Sequence, residues 1–284
     1  MRRICIVTDS GASFSTIEKL HPLPLTVLPN RITTSVTNFA EGLDYEPEVA
    51  LRLVGQTQQR PIVTAPSVET YANTFRQLAR ESEAIVCICP SQQLSTHVSH
   101  AQAAARMIVG ACPIKVVDSQ SISAGQTVLI LALSQALAAG AKIEDIDQIV
   151  RSVIGRTYFL LAIEQVDALP QLESLETAGA LFSLLLNLRP IVSVEHGELR
   201  AIAKARSRID AVERLAEFGA EFSTYARVFI LRDHTAHETA ERLRARLMTT
   251  IPAEQIHSLV YNPSLAALVG LGAVGIAILE SDHT

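Results

Sequence analysis

The chain has 284 residues, 48% of them hydrophobic and 19% charged, with a formal net charge of −5. That length suits one large domain or two ordinary ones, with enough apolar residues for a sizeable core. The charge excludes a nucleic-acid binder, which needs a basic surface to neutralise phosphates.

The opening "MRRICIVTDS" enters an apolar strand at once, with no signal-like apolar core, which predicts a cytoplasmic protein. "LPLTVLPN" is a second extended piece, held out of helix by Pro22, Pro24 and Pro29. A helix is expected at about 46–55, with Asp44 near its start, and "RPIVTAPS" reads as a loop. Ser67 is the expected N-cap of "VETYANTFRQLARES". Strand "AIVCICPS", helix "HVSHAQAAARMIVG" and strand "IKVVDS" follow. A long helix at 121–139 is interrupted by Gly125, Gln126, Ser134 and Gln135, so it reads as a buried helix and not a membrane span. Gly140 falls near its C-cap. Unbroken apolar strands, each followed by a helix, predict a parallel sheet with both faces covered.

After a further helix at about 143–154 the texture changes. "TYFLLAI" is a strand, and "PIVSVE", "HGE" and "LRAIAKA" predict a β-hairpin turning at Gly197. A helix at 207–220, strand "RVFILRD", helix at 236–249, strand "IHSLVYN" and strand "AVGIAILE" complete the chain. The fold class expected is α/β in two domains. Residues 1–155 form an N-terminal, mostly parallel sheet with flanking helices and a serine loop. Residues 156–284 form a C-terminal mixed α/β sheet domain, with a ligand between the two. Ligands of parallel sheets sit beyond the C-terminal strand ends. Asp9-Ser10, Ser91 and Asp118-Ser119 punctuate three such ends and are expected to converge.

Several motifs invite chemistry. Cys5, Cys87, Cys89 and Cys112 read as thiols of a reducing compartment, because no ligand-spaced cluster accompanies Cys87 and Cys89. "GLGAVG" (270–275) fits a dinucleotide fingerprint, but a strand and not a helix follows it. A tight glycine turn through Gly270 and Gly272, approaching a ligand or the other domain, is expected instead, and no cofactor. "DHTAH" (233–237) reads as a loop and helix start in preference to a metal site, and His100 and His196 as solvent-facing or turn residues. The stretch "PSQQLSTHVSHAQAA" (90–104) leaves three readings open. Ser95 or Thr96 caps a helix. The same helix N-terminus cradles an anion. Or Ser95, His97 and Asp118 form the parts of a serine hydrolase, although Ser95 and His97 diverge at a helix start and no G-x-S-x-G elbow is present.

Taken together the motifs resemble the DegV family of bacterial lipid-binding proteins, nearly end to end. "IVTDSGASFS", "VTAPS" (63–67), "SQQLSTHVSHA" (91–101), "VVDS" (116–119), "LLLNLRPIVSVEHGELRAIAKAR" (184–206) and "GLGAVGIAI" (270–278) carry the resemblance by their order and spacing. It implies two α/β domains around a buried long-chain fatty acid whose carboxylate lies near the serine loop. It also implies a carrier and not a catalyst, which in some relatives presents the acid to a fatty acid kinase subunit. The ligand-contacting positions it points to are Ser95, Thr64, Thr96, His97, Ser91, Gly270 and Gly272. The chain departs from the family at polar positions: Thr96 and His97 replace a Gly and a Thr, Arg189 a Lys. Ser174 stands at the family's Arg and Leu268 at its His. A carboxylate buried without donors costs several kcal/mol or takes up a proton. Two readings follow: the ligand is a fatty acid held by Ser95, Thr64 and His97, or the head group is neutral or the phosphate-transfer role has been lost. An ester hydrolase and a binding module for a small non-lipid ligand stand as alternatives. The apolar tunnel is expected to include "LFSLLLNL" (181–188).

Overall fold

The computed structural model describes residues 4–13, 25–57, 59–108, 110, 112–164 and 188–281. Ser174 and most of "LFSLLLNL" therefore lie outside the described residues. The first half builds a four-stranded sheet from β1 (Ile4–Asp9), β2 (Leu25–Leu28), β6 (Ala84–Cys89) and β7 (Ile114–Asp118), in the order β2-β1-β6-β7. Every pairing in it is parallel. The strands are short apolar runs, and β6 is buried along its whole length, as a central strand covered on both faces must be. Helices α2 (Val68–Leu78) and α3 (His97–Arg106) cover one face, with Cys87 and Cys89 buried against Tyr71 and Phe75. The two sulfurs are 3.7 Å apart and all four cysteines are free thiols.

The other face is covered by α4 (Ser123–Ala138), which is buried all round because it lies between two sheets. Gly140, just past its C-cap, takes the left-handed conformation expected there, at φ +99°. Beyond α4, and after α5 (Ile146–Ile154), comes a six-stranded mixed sheet. It comprises β8 (Thr157–Ala162), β9 (Arg189–Glu195), β10 (Glu198–Ala205), β11 (Tyr225–Arg232), β12 (Ile256–Val260) and β13 (Val274–Glu280). Their order is β10-β9-β8-β13-β11-β12, antiparallel except for β11 beside β12. Its outer face carries α6 (Arg208–Gly219) and α7 (His237–Leu247). One apolar core runs from Ile6 and Val86 on the first sheet through Val128 and Leu131 of α4 to Phe159 and Phe229 on the second.

Four elements differ from the sequence expectation. The segment read as a loop contains β5 (Ile62–Thr64), and β3 (Arg31–Thr33) with β4 (Asn38–Ala40) makes a hairpin beside it. The three form a small antiparallel sheet in the order β4-β3-β5. The fourth is α8 (Pro263–Val269), which begins on Asn262 with Pro263 in its first turn and packs on α1 (Pro47–Gly55) and β5. Strands of three residues and a helix of two turns are too short to show a period. They nevertheless roof the carboxyl edge of the parallel sheet.

Candidate functional site

Because all four strands of the first sheet run the same way, their C-terminal ends meet at one edge. From that edge come the loop after β1 with Asp9 and Gly11, Asn30 after β2, the stretch Pro90–His97 after β6, and Ile122–Gln126 after β7. Together with Ser264–Leu268 of α8 and the segment Arg60–Val63, these enclose a cavity of about 230 Å³. Val63, Pro90, Leu94, Ile122, Leu265 and Leu268 make its apolar wall.

A buried polar network lies at one end. Asp9 accepts hydrogen bonds from Gly11 N (2.8 Å), Asn30 Nδ2 (3.0 Å) and Gln126 Nε2 (2.8 Å). Asn30 directs the same amide group at Glu41 and Ser264, so its carbonyl oxygen faces His97 Nε2 at 2.8 Å. With the asparagine so oriented, the imidazole proton sits on Nε2, which also lies 3.7 Å from Asp9 Oδ2. Nδ1 is left as a buried acceptor with no partner. Burial holds the His97 pKa below its ordinary value, Asp9 pulls the other way, and the side chain is neutral at pH 7. Gln126 is oriented as firmly: Nε2 faces Thr8 Oγ1, Asp9 and the Ile88 carbonyl, and Oε1 is unpartnered. Glu41 accepts from Ser10, Asn30 and both the backbone N and hydroxyl of Ser264. Burial pushes its carboxyl pKa up.

Of the residues singled out from sequence, Ser95 and His97 line the cavity. Thr64, Thr96, Ser91, Gly270 and Gly272 are not among its lining residues. Ser91 is fully buried and donates to the carbonyl of Gly197 at 2.7 Å, seating the β9–β10 hairpin turn on the serine loop. Thr64 is exposed on β5, where strand alternation gives the cavity its neighbour Val63. Gly272 takes φ +83° and donates its N–H to Asp233 (2.7 Å), while the Gly270 carbonyl accepts from Tyr261. The glycine turn is thus tied inside the second sheet's own layer, and β13 follows it.

The expected hydroxyl cap is absent. Thr96 occupies the N-cap of α3 without a side-chain bond, and Ser95 donates instead to the Ser91 carbonyl at 3.2 Å. No hydrolase triad is assembled: His97 faces Asn30, and Asp118 accepts from the Gln120 backbone. In "DHTAH", Asp233 binds the N–H groups of Thr235 and Ala236 at the start of α7. Among the described residues no group of three or more His, Cys, Asp or Glu is placed to hold a metal ion. Nor is any helix among them long and apolar enough to cross a membrane.

Sequence reasoning did not find Asn30, Gln126 or Arg60. Arg60 lines the cavity from the segment before β5 and donates from Nε to the Ala267 carbonyl (2.6 Å) and from Nη2 to that of Leu268 (2.9 Å). Its partners are 207 and 208 residues away, which no local pattern signals.

A parallel sheet whose carboxyl edge opens into a cavity roofed by elements from both halves of the chain defines an α/β protein of the ligand-pocket class. The chain belongs to the DegV family: the model described as an uncharacterised protein of that family matches residues 3–281. A DegV domain-containing protein of Streptomyces coelicolor is 27% identical over 284 residues, covering 98% of each chain. Among solved structures, the fatty acid binding DegV family protein of Streptococcus agalactiae superposes with a TM-score of 0.87 at 19% identity, over 99% of this chain and 100% of the other. The Streptococcus pneumoniae fatty acid kinase B3 protein, loaded with linoleic acid, gives 0.83 at 19% identity, over 98% and 100%.

Proposed function

We propose that this protein is a carrier that holds a long-chain fatty acid, with the acyl chain along the apolar wall and the head group at the polar end or rim of the cavity. The observation that carries this is the cavity itself: an apolar wall beside a polar network, at the carboxyl edge of the parallel sheet under α8. Solved relatives of the same fold hold fatty acids. Acyl burial contributes roughly 0.8 kcal/mol per CH₂, so affinity comes mainly from the chain. Ser95 and His97 meet the ligand directly, and Ser91, Gly270 and Gly272 hold the elements around it. Thr64, paired with Arg31 in the small sheet, and Thr96, at the N-cap of α3, frame the site without lining the cavity. We place the domain boundary near residue 155, with the ligand between the domains. The likeness to a fatty acid kinase B3 protein supports presentation of the bound acid to a kinase partner, and four free thiols support a cytoplasmic setting.

Titration of delipidated protein with oleate, followed by calorimetry, tests the proposal. Saturable binding of about one oleate per chain is expected. Absence of saturable uptake by folded protein would sink it.

A further inference from the structure

Arg60 is the one Lys or Arg side chain among the described residues that line the cavity. It is exposed, which marks the rim where the cavity meets solvent. Among the described residues, two of its five N–H groups are used, on the carbonyls of Ala267 and Leu268, and no carboxylate pairs with it. Arg189, the cation singled out in the sequence motifs, is by contrast consumed by a bidentate contact with Glu164.

The polar end of the cavity cannot take over this role. It presents the Asp9 carboxyl group, and the two buried polar atoms that lack partners there, His97 Nδ1 and Gln126 Oε1, are acceptors. An anion placed at that end meets acceptors and a like-charged neighbour, and it carries no proton to offer them. At the rim it meets a planar fork whose orientation is already set by two carbonyls, so little side-chain freedom remains to be lost on binding. Partial burial of the guanidinium disfavours its charged form, a penalty that an incoming anion relieves.

We infer that Arg60 is the cation that receives an anionic head group at the rim of this cavity, so that it decides between a charged and an uncharged amphiphile of the same chain. The inference rests on the lipid-carrier proposal and narrows it to the head group.

The test compares oleate with oleyl alcohol, which keeps the chain and removes the charge, on wild type, Arg60→Met and Arg60→Gln. Arg60→Gln retains an N–H donor for the Leu268 carbonyl while removing the charge. Both variants are expected to lose roughly tenfold to a hundredfold in oleate affinity, with oleyl alcohol unchanged within about twofold. Equal weakening of both probes would reduce Arg60 to a tie between its segment and α8, and overturn the inference. Unchanged oleate binding in either folded variant also overturns it, while leaving the carrier proposal standing. Wild-type protein that binds neither probe overturns both.

Discussion

His97 occupies the first position of α3 with its Nε2–H held by Asn30 and its ring buried. Burial lowers its pKa from 6.5, Asp9 opposes this, and His100 adds to it. An imidazole whose folded pKa is depressed takes up protons more readily in the unfolded chain. Its contribution to stability is therefore present above the unfolded value of 6.5 and is lost as pH falls through that value towards the folded one. Urea unfolding of wild type and His97→Gln at pH about 7.5 and about 5.5 checks this. The wild type is expected to lose more stability on acidification than the variant, and parallel losses would count against a neutral buried imidazole. Of the site at this scale, the sequence showed Ser95 and His97, because they sit in a motif that follows an obvious strand. Asn30, Gln126 and Arg60 stayed hidden because their roles arise only where separate segments meet.

At the scale of elements, Glu41 joins the loop after β1, the β3–β4 hairpin and the start of α8. Its carboxyl group accepts from Ser10, Asn30 and Ser264. Glu41→Ala removes the acceptor of the Ser10 hydroxyl and of the Ser264 N–H and hydroxyl, while Asn30 keeps Asp9, at a cost of roughly 1–3 kcal/mol measured by chemical unfolding. An unchanged midpoint would show that the roof does not depend on this group. The β9–β10 turn gives a second case. Gly197 takes φ +86°, and a Cβ there would approach Ser91 Oγ to 2.5 Å. Gly197→Ala is accordingly expected to destabilise by about 1–2 kcal/mol and to loosen the hairpin from the serine loop. Faster hydrogen exchange at Ser91–Leu94 would report that loosening, and unaltered exchange would argue against the contact. The parallel strands and long helices were legible because apolar runs and helical periods extend over many residues. The small sheet and α8 were not: β3, β4 and β5 are three residues each, and their pairing partners lie far along the chain or across a hairpin.

At the scale of the molecule, the two larger sheets are drawn from separate stretches of chain, yet one core runs through α4 from one to the other. The change of texture near residue 155 reflects this, since apolar parallel strands give way to a hairpin and alternating strands. What the sequence could not show is how the second half reaches back over the first. Asn262 donates to the Ser10 and Ala12 carbonyls, Ser264 to Glu41, and Arg60 to α8. If the cavity holds an acyl chain, affinity should climb with chain length by about fourfold per added CH₂ until the cavity is full, from roughly 0.8 kcal/mol each. A series of saturated fatty acids in a displacement assay checks this, and a flat series would point to a ligand without a long chain. The most direct measurement is mass spectrometry of the small molecules released when freshly purified protein is denatured. A fatty acid in near-stoichiometric amount is the expected result. Release of no acyl compound, together with no uptake of added oleate by the intact protein, would contradict the central claim that this chain carries a lipid.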